Sequence, residues 1–223
     1  SSGVFIQYLR AIGADASAYI PDRLSEGYGP NAQALEKLAA SGSQLVVTVD
    51  CGIQSYEALE AGAAAGLDIL VVDHHKAEPE LPKAVAIVNP NRLDDDSELG
   101  HLAAVGVTYL LIIAVNRLLR TKGYFQGGRA EPNLLQFLDM VALGTVCDVV
   151  PLKGLNRVFV RQGLKVMAQR RNIGLTALMD VAGLDARPDA YHLGFLLGPR
   201  INAGGRVGES DSGTRLLTLN DAG

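Results

Sequence analysis

Tryptophan is absent from this 223-residue chain, and cysteine and histidine are scarce, with two and four residues. The two cysteines, Cys51 and Cys147, show no CxxC spacing, which excludes a disulfide framework and a zinc ribbon. They predict reduced thiols and a cytoplasmic protein. The longest apolar run, residues 102–115, is too short to cross a bilayer, so neither a membrane span nor a signal peptide is predicted.

A surplus of positive charge is missing as well, because 20 basic residues against 24 acidic ones give a net charge of −4. Proteins that hold nucleic acid through charge alone are usually basic, so this balance argues against a simple nucleic-acid-binding module. It leaves room for an enzyme whose carboxylates hold a metal while a few arginines hold phosphate. With 48% hydrophobic residues, the chain can bury a substantial core, which excludes a disordered protein.

What is present is an alternation of short β-branched runs with helical segments. The runs Leu45–Val49, 69–72 and Ala86–Val88 predict three strands, the first two buried on both faces. Helices are predicted at residues 4–12, 31–40, 55–65, 102–119, 134–143 and 157–168, with a short strand at 18–20. This order predicts an α/β fold with a mostly parallel sheet flanked by helices, followed by a helical region.

Chemically active side chains directly follow two of these strands. Asp50 comes after the first strand, and Asp73-His74-His75 comes after the second. The carboxyl ends of parallel strands meet at one edge, where ligands bind, so we expect these side chains to lie close together. A turn or a helix cap explains either aspartate alone, but two histidines after a carboxylate indicate a metal site or acid–base chemistry. The donors suit Mn²⁺ or Mg²⁺. Neighbouring side chains of an extended segment point in opposite directions, so the two histidines are expected to have different roles.

Asp148 lies in an apolar, turn-rich run at residues 144–152. A buried aspartate must be paired or bound to metal, and the pattern alone does not distinguish a salt bridge from a metal ligand. The cysteines next to the carboxylates, Cys51 and Cys147, are better explained as small buried residues than as ligands.

Residues 198–206 form a glycine-rich segment with two arginines. Such a segment either brings its backbone close to a phosphate that the arginines grip, or is an ordinary turn with solvated arginines. The turn-rich loop around Arg23 is a weaker candidate of the same kind.

Five segments, in order, resemble the DHH phosphoesterase family. They are TVDCG at 48–52, DHH at 73–75, the run 144–152 and, as in the RecJ exonuclease branch of that family, PDRLSEGYGPN at 21–31 and GPRINAGGR at 198–206. The resemblance implies a hydrolase of phosphodiester bonds with two metal ions, usually Mn²⁺. It further implies a 5′→3′ exonuclease that acts on single-stranded DNA in recombination and repair, with replication or repair proteins as further partners.

The same resemblance implies roles for individual residues. Asp50 would bridge both metals, and His74 and Asp148 would complete the protein ligands of one of them. His75 would contact the scissile phosphate, and Asp73 would orient the histidines. Contacts to the nucleic acid would come from Arg23, Arg200, Asn202, Gly204, Gly205 and Arg206.

The family's first signature, an Asp-x-Asp segment that supplies ligands of the other metal, is absent from the chain. Both ends of the sequence look cut, so we expect a central fragment that is inactive or nearly so by itself. Residues 1–152 would be a DHH core without its first motif, and residues 153–223 a linking helix and the start of a following region. Two alternatives stay open: a DHH enzyme for short oligonucleotides, cyclic dinucleotides or pyrophosphate, and a non-catalytic DHH-like scaffold.

Overall fold

A computed structural model describes residues 1–21, 27, 29–207 and 210–219, without the side chains of residues 204–207. Its elements are α1 Ser2–Ala11, α2 Ala32–Ala40, β1 Leu45–Val49, α3 Tyr56–Ala64, β2 Asp68–Val72, β3 Ala86–Val88, α4 Ala104–Thr121, α5 Leu138–Cys147, α6 Gly154–Met167, α7 Ile173–Val181, α8 Gly198–Val207 and α9 Ser212–Leu217. A 3-10 turn, Leu134–Phe137, precedes α5, and a π-helical turn, His192–Leu197, continues into α8.

The three described strands form a parallel sheet in the order β1-β2-β3, which confirms the predicted α/β fold. Val72 of β2 is in register with Val49 of β1 and Val88 of β3, so all three strands end at one edge. Burial of β1 on both faces was a wrong prediction, since Leu45 is 58% exposed. Within the described residues β1 pairs only with β2, and an edge strand is less covered than a central one.

Helices cover both faces of the sheet because side chains along a strand alternate between its faces. Ile69 and Val71 of β2 pack with Leu35 of α2 and Leu59 of α3 in a small core cluster. Val72 belongs to a larger cluster built with the helices from α4 onward and with α1. The edge that carries the polar residues therefore lies between two helical layers.

The long apolar helix α4 runs through the larger cluster. By length and composition it could span a membrane, with a mean hydropathy of 1.4 over 18 residues, but a core helix meets the same criterion. Val105, Tyr109 and Ile112 on this helix are all at most 3% exposed and pack in the larger cluster. Its apolar character is therefore explained by its place in the core.

Three local predictions were wrong. Residues 18–20 form no strand. The predicted turn-rich run starts as helix, because α5 continues to Cys147. Residues 198–206 lie within α8 and not in a loop. A Cβ on Gly198 would lie 2.6 Å from the Cys147 sulfur, so this glycine allows α8 to approach α5 closely.

Helices α5 and α6 touch almost backbone to backbone at Gly163. A Cβ at this position would lie 2.1 Å from the Leu138 carbonyl oxygen and 2.4 Å from the Ala142 Cβ. The contact fixes the start of α5 against the last turns of α6. The predicted domain boundary after Leu152 falls between these helices and stays a prediction.

Candidate metal centre

Asp50 leaves β1 in a left-handed backbone conformation, with a φ of 68°. Its N–H donates to the Val72 carbonyl at 2.9 Å, which continues the strand pairing by one residue. A Cβ at Gly52, where φ is 110°, would lie 2.5 Å from the Thr48 hydroxyl, so only glycine fits this turn. The turn leaves the Asp50 side chain 43% exposed at the sheet edge.

The buried carboxylate of Asp73 organises the end of β2. It accepts hydrogen bonds from the backbone N–H of Ile53 at 3.1 Å and of His74 at 2.8 Å. It also accepts one from Nδ1 of His75 at 2.6 Å. One aspartate thus connects the turn after β1 to the turn after β2 and orients His75, whose side chain stays 49% exposed.

His74 and His75 face the same site, and the expectation that they point in opposite directions was wrong. Their rings meet edge to face with centroids 4.7 Å apart. Together with Asp50 they offer ligand atoms that all lie within 4.8 Å of one another. The extended conformation ends at Val72, since the Asp73 carboxylate draws the following N–H groups toward itself and bends the chain.

The orientation of His74 is set by a backbone carbonyl. Nδ1 lies 2.9 Å from the Leu102 oxygen, which can only accept, so Nδ1 carries the proton. Nε2 then faces the carboxylates of Asp50 at 3.4 Å and Asp148 at 3.5 Å. The hydrogen bond to Asp50 raises the pKa of His74 to about 9. When the ring is neutral, the Nε2 lone pair points at two carboxylates, and a cation placed between these groups would be bound by all three. One nitrogen with two carboxylates is a donor set that suits Mn²⁺.

Asp148 follows the last residue of α5 and completes this group. Burial raises the pKa of its carboxyl, while the charge of His74 acts in the opposite direction. The next residue, Val149, has a φ of 58° and is 88% exposed. A β-branched residue strongly disfavours that conformation, so the chain leaves Asp148 through a strained turn.

Burial raises the pKa of the Cys51 thiol to about 12 and that of Cys147 to about 11. Both thiols therefore stay protonated near neutral pH. This agrees with their interpretation as small packing residues and not as metal ligands.

A cleft of about 290 Å³ opens beside the carboxylates. Its walls include Asp50, Val105, Cys147, Asp148, Ile201 and Asn202. Asn202 thus lines the same cleft as Asp50 and Asp148, and its predicted contact with substrate stays a prediction. Arg200 is exposed and donates to the Leu196 carbonyl at 2.8 Å, and it is not among the described residues that line this cleft.

The other predicted substrate contacts have no described side-chain position. Gly204, Gly205 and Arg206 lie in the last turns of α8. The side chain of Arg206 and the whole of Arg23 lie outside the described part of the chain.

Two asparagines that support the histidines were missed in the sequence. Asn89 donates to the His75 carbonyl at 2.9 Å, and Asn91 donates to the His74 carbonyl at 2.6 Å. Asn89 directly follows β3, and Asn91 comes two residues later, beyond the sheet edge that the aspartates also follow. The rule that selected Asp50 and Asp73 therefore also selects Asn89 once it is applied to the third strand, and Asn91 lies in the same turn.

These features define an α/β protein with a candidate site for a divalent cation at the carboxyl edge of a parallel sheet. The family described as DHH family, N-terminal domain, matches residues 1–145. The chain belongs to the DHH family, which confirms the resemblance seen in the motifs.

Curated relatives extend the match over the whole chain. The chain is 40% identical to the single-stranded-DNA-specific exonuclease RecJ of Salmonella typhimurium and 35% identical to that of Bacillus subtilis. Each alignment covers 100% of this chain but only 39% and 27% of the relative. The chain thus spans about two fifths, or less, of the length of these relatives.

Solved structures agree with this assignment. A crystal structure of exonuclease RecJ bound to manganese superposes with a TM-score of 0.83 at 34% identity, covering 99% of this chain and 53% of that one. A structure of RecJ from Thermus thermophilus in complex with Mn²⁺ gives a TM-score of 0.79 at 31% identity and covers 99% of this chain and 30% of that one.

Proposed function

We propose that this chain forms the core of a single-strand-specific DNA exonuclease that hydrolyses phosphodiester bonds from the 5′ end with the help of Mn²⁺ or Mg²⁺. The observation that carries the proposal is the convergence of His74 Nε2 with the Asp50 and Asp148 carboxylates at 3.4 and 3.5 Å. The names of the relatives support the substrate class, and their manganese-bound structures support the cofactor. Two ions, and a cytoplasmic location in a repair or recombination pathway, are part of the proposal.

Each residue of the site has a distinct task in this proposal. Asp50, His74 and Asp148 hold the cation, which when bound activates water and stabilises the charge that develops on the phosphate oxygens. His75 donates Nδ1–H to Asp73, so its Nε2 is left for the substrate. A proton on that Nε2 would let His75 donate a hydrogen bond to a phosphate oxygen.

The nucleic-acid contacts rest on α8. Asn202 lies at the cleft beside the cation ligands, and Arg200 is exposed on the same helix. Both can donate hydrogen bonds to a phosphate backbone, which carries most of the affinity for nucleic acid. Arg206, Arg23, Gly204 and Gly205 belong to this proposal through the motifs alone.

Release of label from single-stranded oligonucleotides tests the proposal in the whole protein. With Mn²⁺ present we expect mononucleotides from the 5′ end and slower turnover of dinucleotides and cyclic dinucleotides. Asp50→Asn should weaken Mn²⁺ binding and activity by more than the ~10–100-fold that is typical when a residue that hydrogen-bonds to a metal ligand is replaced. Asp68→Asn, at the opposite end of β2, is the matched control and should leave both unchanged.

Two results would contradict the exonuclease function in different ways. A preference for dinucleotides would indicate an enzyme for short substrates. Absence of Mn²⁺ binding, together with no effect of Asp50→Asn, would indicate a non-catalytic scaffold.

A further inference from the structure

Asn156 is a fully buried amide that lies outside the group of metal-binding side chains. It is 0% exposed and sits in the first turn of α6. Its Nδ2 donates two hydrogen bonds, to the His101 carbonyl at 2.7 Å and to the Pro151 carbonyl at 3.0 Å. One side chain therefore joins two chain segments that are far apart in the sequence.

Both segments lead directly to the candidate metal centre. His101 precedes Leu102, whose carbonyl accepts from His74 Nδ1 at 2.9 Å. Pro151 follows Asp148 after a short turn through the strained Val149. Asn156 is therefore connected to His74 through the segment 101–102 and to Asp148 through the segment 148–151. The two connections end at His74 Nε2 and the Asp148 carboxylate, which lie 3.5 Å apart.

Strand pairing fixes only part of this centre. Asp50 and His74 follow neighbouring strands, and the register of β1 with β2 sets their separation. Asp148 follows a helix, so the sheet does not determine its distance from His74. The amide of Asn156 is a polar connection between the segment after Asp148 and the segment that orients His74.

Folding stability alone does not explain an asparagine at this position. Its Oδ1 is buried and has no hydrogen-bond partner among the described residues. An unpaired buried carbonyl oxygen destabilises the folded state, and a leucine of similar size would not have it. What an amide provides and leucine does not is the pair of donors that hold two carbonyls at a fixed separation.

We propose that Asn156 is a positioning residue that sets the distance between His74 and Asp148 and thereby the affinity of the site for a divalent cation. This inference rests on the proposed function, since it assigns these residues to a metal centre. The competing explanation is that Asn156 only stabilises the start of α6.

Asn116 gives a matched control for substitution of a buried asparagine. It is 1% exposed, donates to Glu131 at 2.6 Å and accepts from the Tyr8 hydroxyl at 3.5 Å. It lies about 18 Å along α4 from the end of that helix nearest the site. Calorimetric titration of the whole protein with Mn²⁺ should show about tenfold weaker binding for Asn156→Leu and unchanged binding for Asn116→Leu. Equal affinities in the two variants would overturn the proposal.

A second readout needs no metal. In the metal-free protein the His74 Nδ1–H that is hydrogen-bonded to Leu102 should give a slowly exchanging nuclear magnetic resonance signal. We expect this signal to be lost or shifted in Asn156→Leu and kept in Asn116→Leu. An unchanged signal in Asn156→Leu would contradict the positioning role. Absence of Mn²⁺ binding by the wild-type protein is a different result, which would contradict the proposed function, and the signal can be measured in either case.

A variant with a smaller change keeps the test decisive if Asn156→Leu does not fold. Asn156→Ser retains one donor and removes the unpaired amide oxygen. Its Mn²⁺ affinity should therefore be lower than that of the wild type, by less than the tenfold expected for Asn156→Leu. Asn116→Ser is its control. Wild-type affinity and an unchanged His74 signal in Asn156→Ser would contradict the proposal.

Discussion

Asp139 is an acidic side chain inside the core, only 3% exposed, in the first turn of α5. It accepts a hydrogen bond from the Met140 backbone N–H at 2.6 Å. Burial raises the pKa of this carboxyl from 3.8 to about 6. The helix that Asp148 follows therefore has in its first turn a carboxylate whose charge opposes folding at neutral pH.

The pKa of Asp139 predicts how stability depends on pH. Because the folded state binds this proton more tightly than the unfolded state, the carboxyl contributes stability below about pH 4. That contribution is lost as the pH rises through about 6. Asp139→Asn keeps the acceptor but cannot ionise. Its unfolding free energy relative to wild type should therefore rise by about 2 kcal/mol between pH 4 and pH 7, measured by urea denaturation.

The exposed Asp185 provides the control for this measurement. Asp185→Asn should give a stability curve parallel to that of the wild type over the same pH range. If Asp139→Asn also runs parallel to the wild type, the raised pKa of Asp139 is wrong.

At the residue scale, the sequence predicts which side chains converge better than it predicts what holds them in place. Asp50 and His74 could be selected because strand ends in a parallel sheet share one edge. The Leu102 carbonyl that fixes the His74 ring could not, since every residue has a carbonyl and the contact joins positions 28 residues apart. Asn156 escaped notice for a related reason, because its two acceptors are also backbone atoms.

The crossing of α5 and α6 determines where two elements place site residues, Asp148 at the end of one and Asn156 at the start of the other. We expect Gly163→Ala to lower the unfolding free energy by at least about 2 kcal/mol in urea denaturation. A Cβ there collides with the Leu138 carbonyl, and this outweighs the ~1 kcal/mol by which alanine favours a helix.

Gly106, in the first turn of α4, is the control. The nearest atoms to a Cβ at this position lie 3.5 Å away, which is ordinary contact. Gly106→Ala should therefore change stability little or raise it by up to about 1 kcal/mol. If the two variants behave alike, the close approach of α5 and α6 is not what position 163 requires.

The helices and strands were predictable where the spacing of apolar residues indicates them, and not where the role of a glycine determines the conformation. The three strands and the helices with a clear apolar face appear near their predicted positions. An ordinary turn was one of two interpretations of residues 198–206, because glycine suggests turns, yet these residues are helical. Gly198 there allows contact with Cys147, and a close contact between helices cannot be distinguished from a turn by composition.

The molecule as a whole carries a net charge of −4, so its overall field does not attract a DNA strand. The proposed binding of single strands would then depend on local features, and an exposed pair of stacked rings is a candidate for one of them. Tyr191 and Phe195 are 66% and 73% exposed, and their rings lie 5.0 Å apart at an angle of 29°. Along this helical stretch Phe195 precedes Asn202 by about two turns, or roughly 10 Å. Stacking on such rings is how single strands are held without regard to sequence.

If the pair stacks on bases, the affinity of a Phe195 variant for a single strand should depend on whether the new side chain is aromatic and not on how hydrophobic it is. We expect Phe195→Leu to weaken binding of a fluorescent oligothymidine about tenfold, measured by anisotropy with chelator present to prevent hydrolysis. Phe195→Trp retains an aromatic face and should bind at least as well as wild type. Mn²⁺ affinity should be the same in both variants, because Phe195 is not among the described residues that line the cleft beside Asp50 and Asp148. Equal strand affinities for the Leu and Trp variants would instead indicate a surface that packs against protein, since a leucine serves that purpose as well as an aromatic ring.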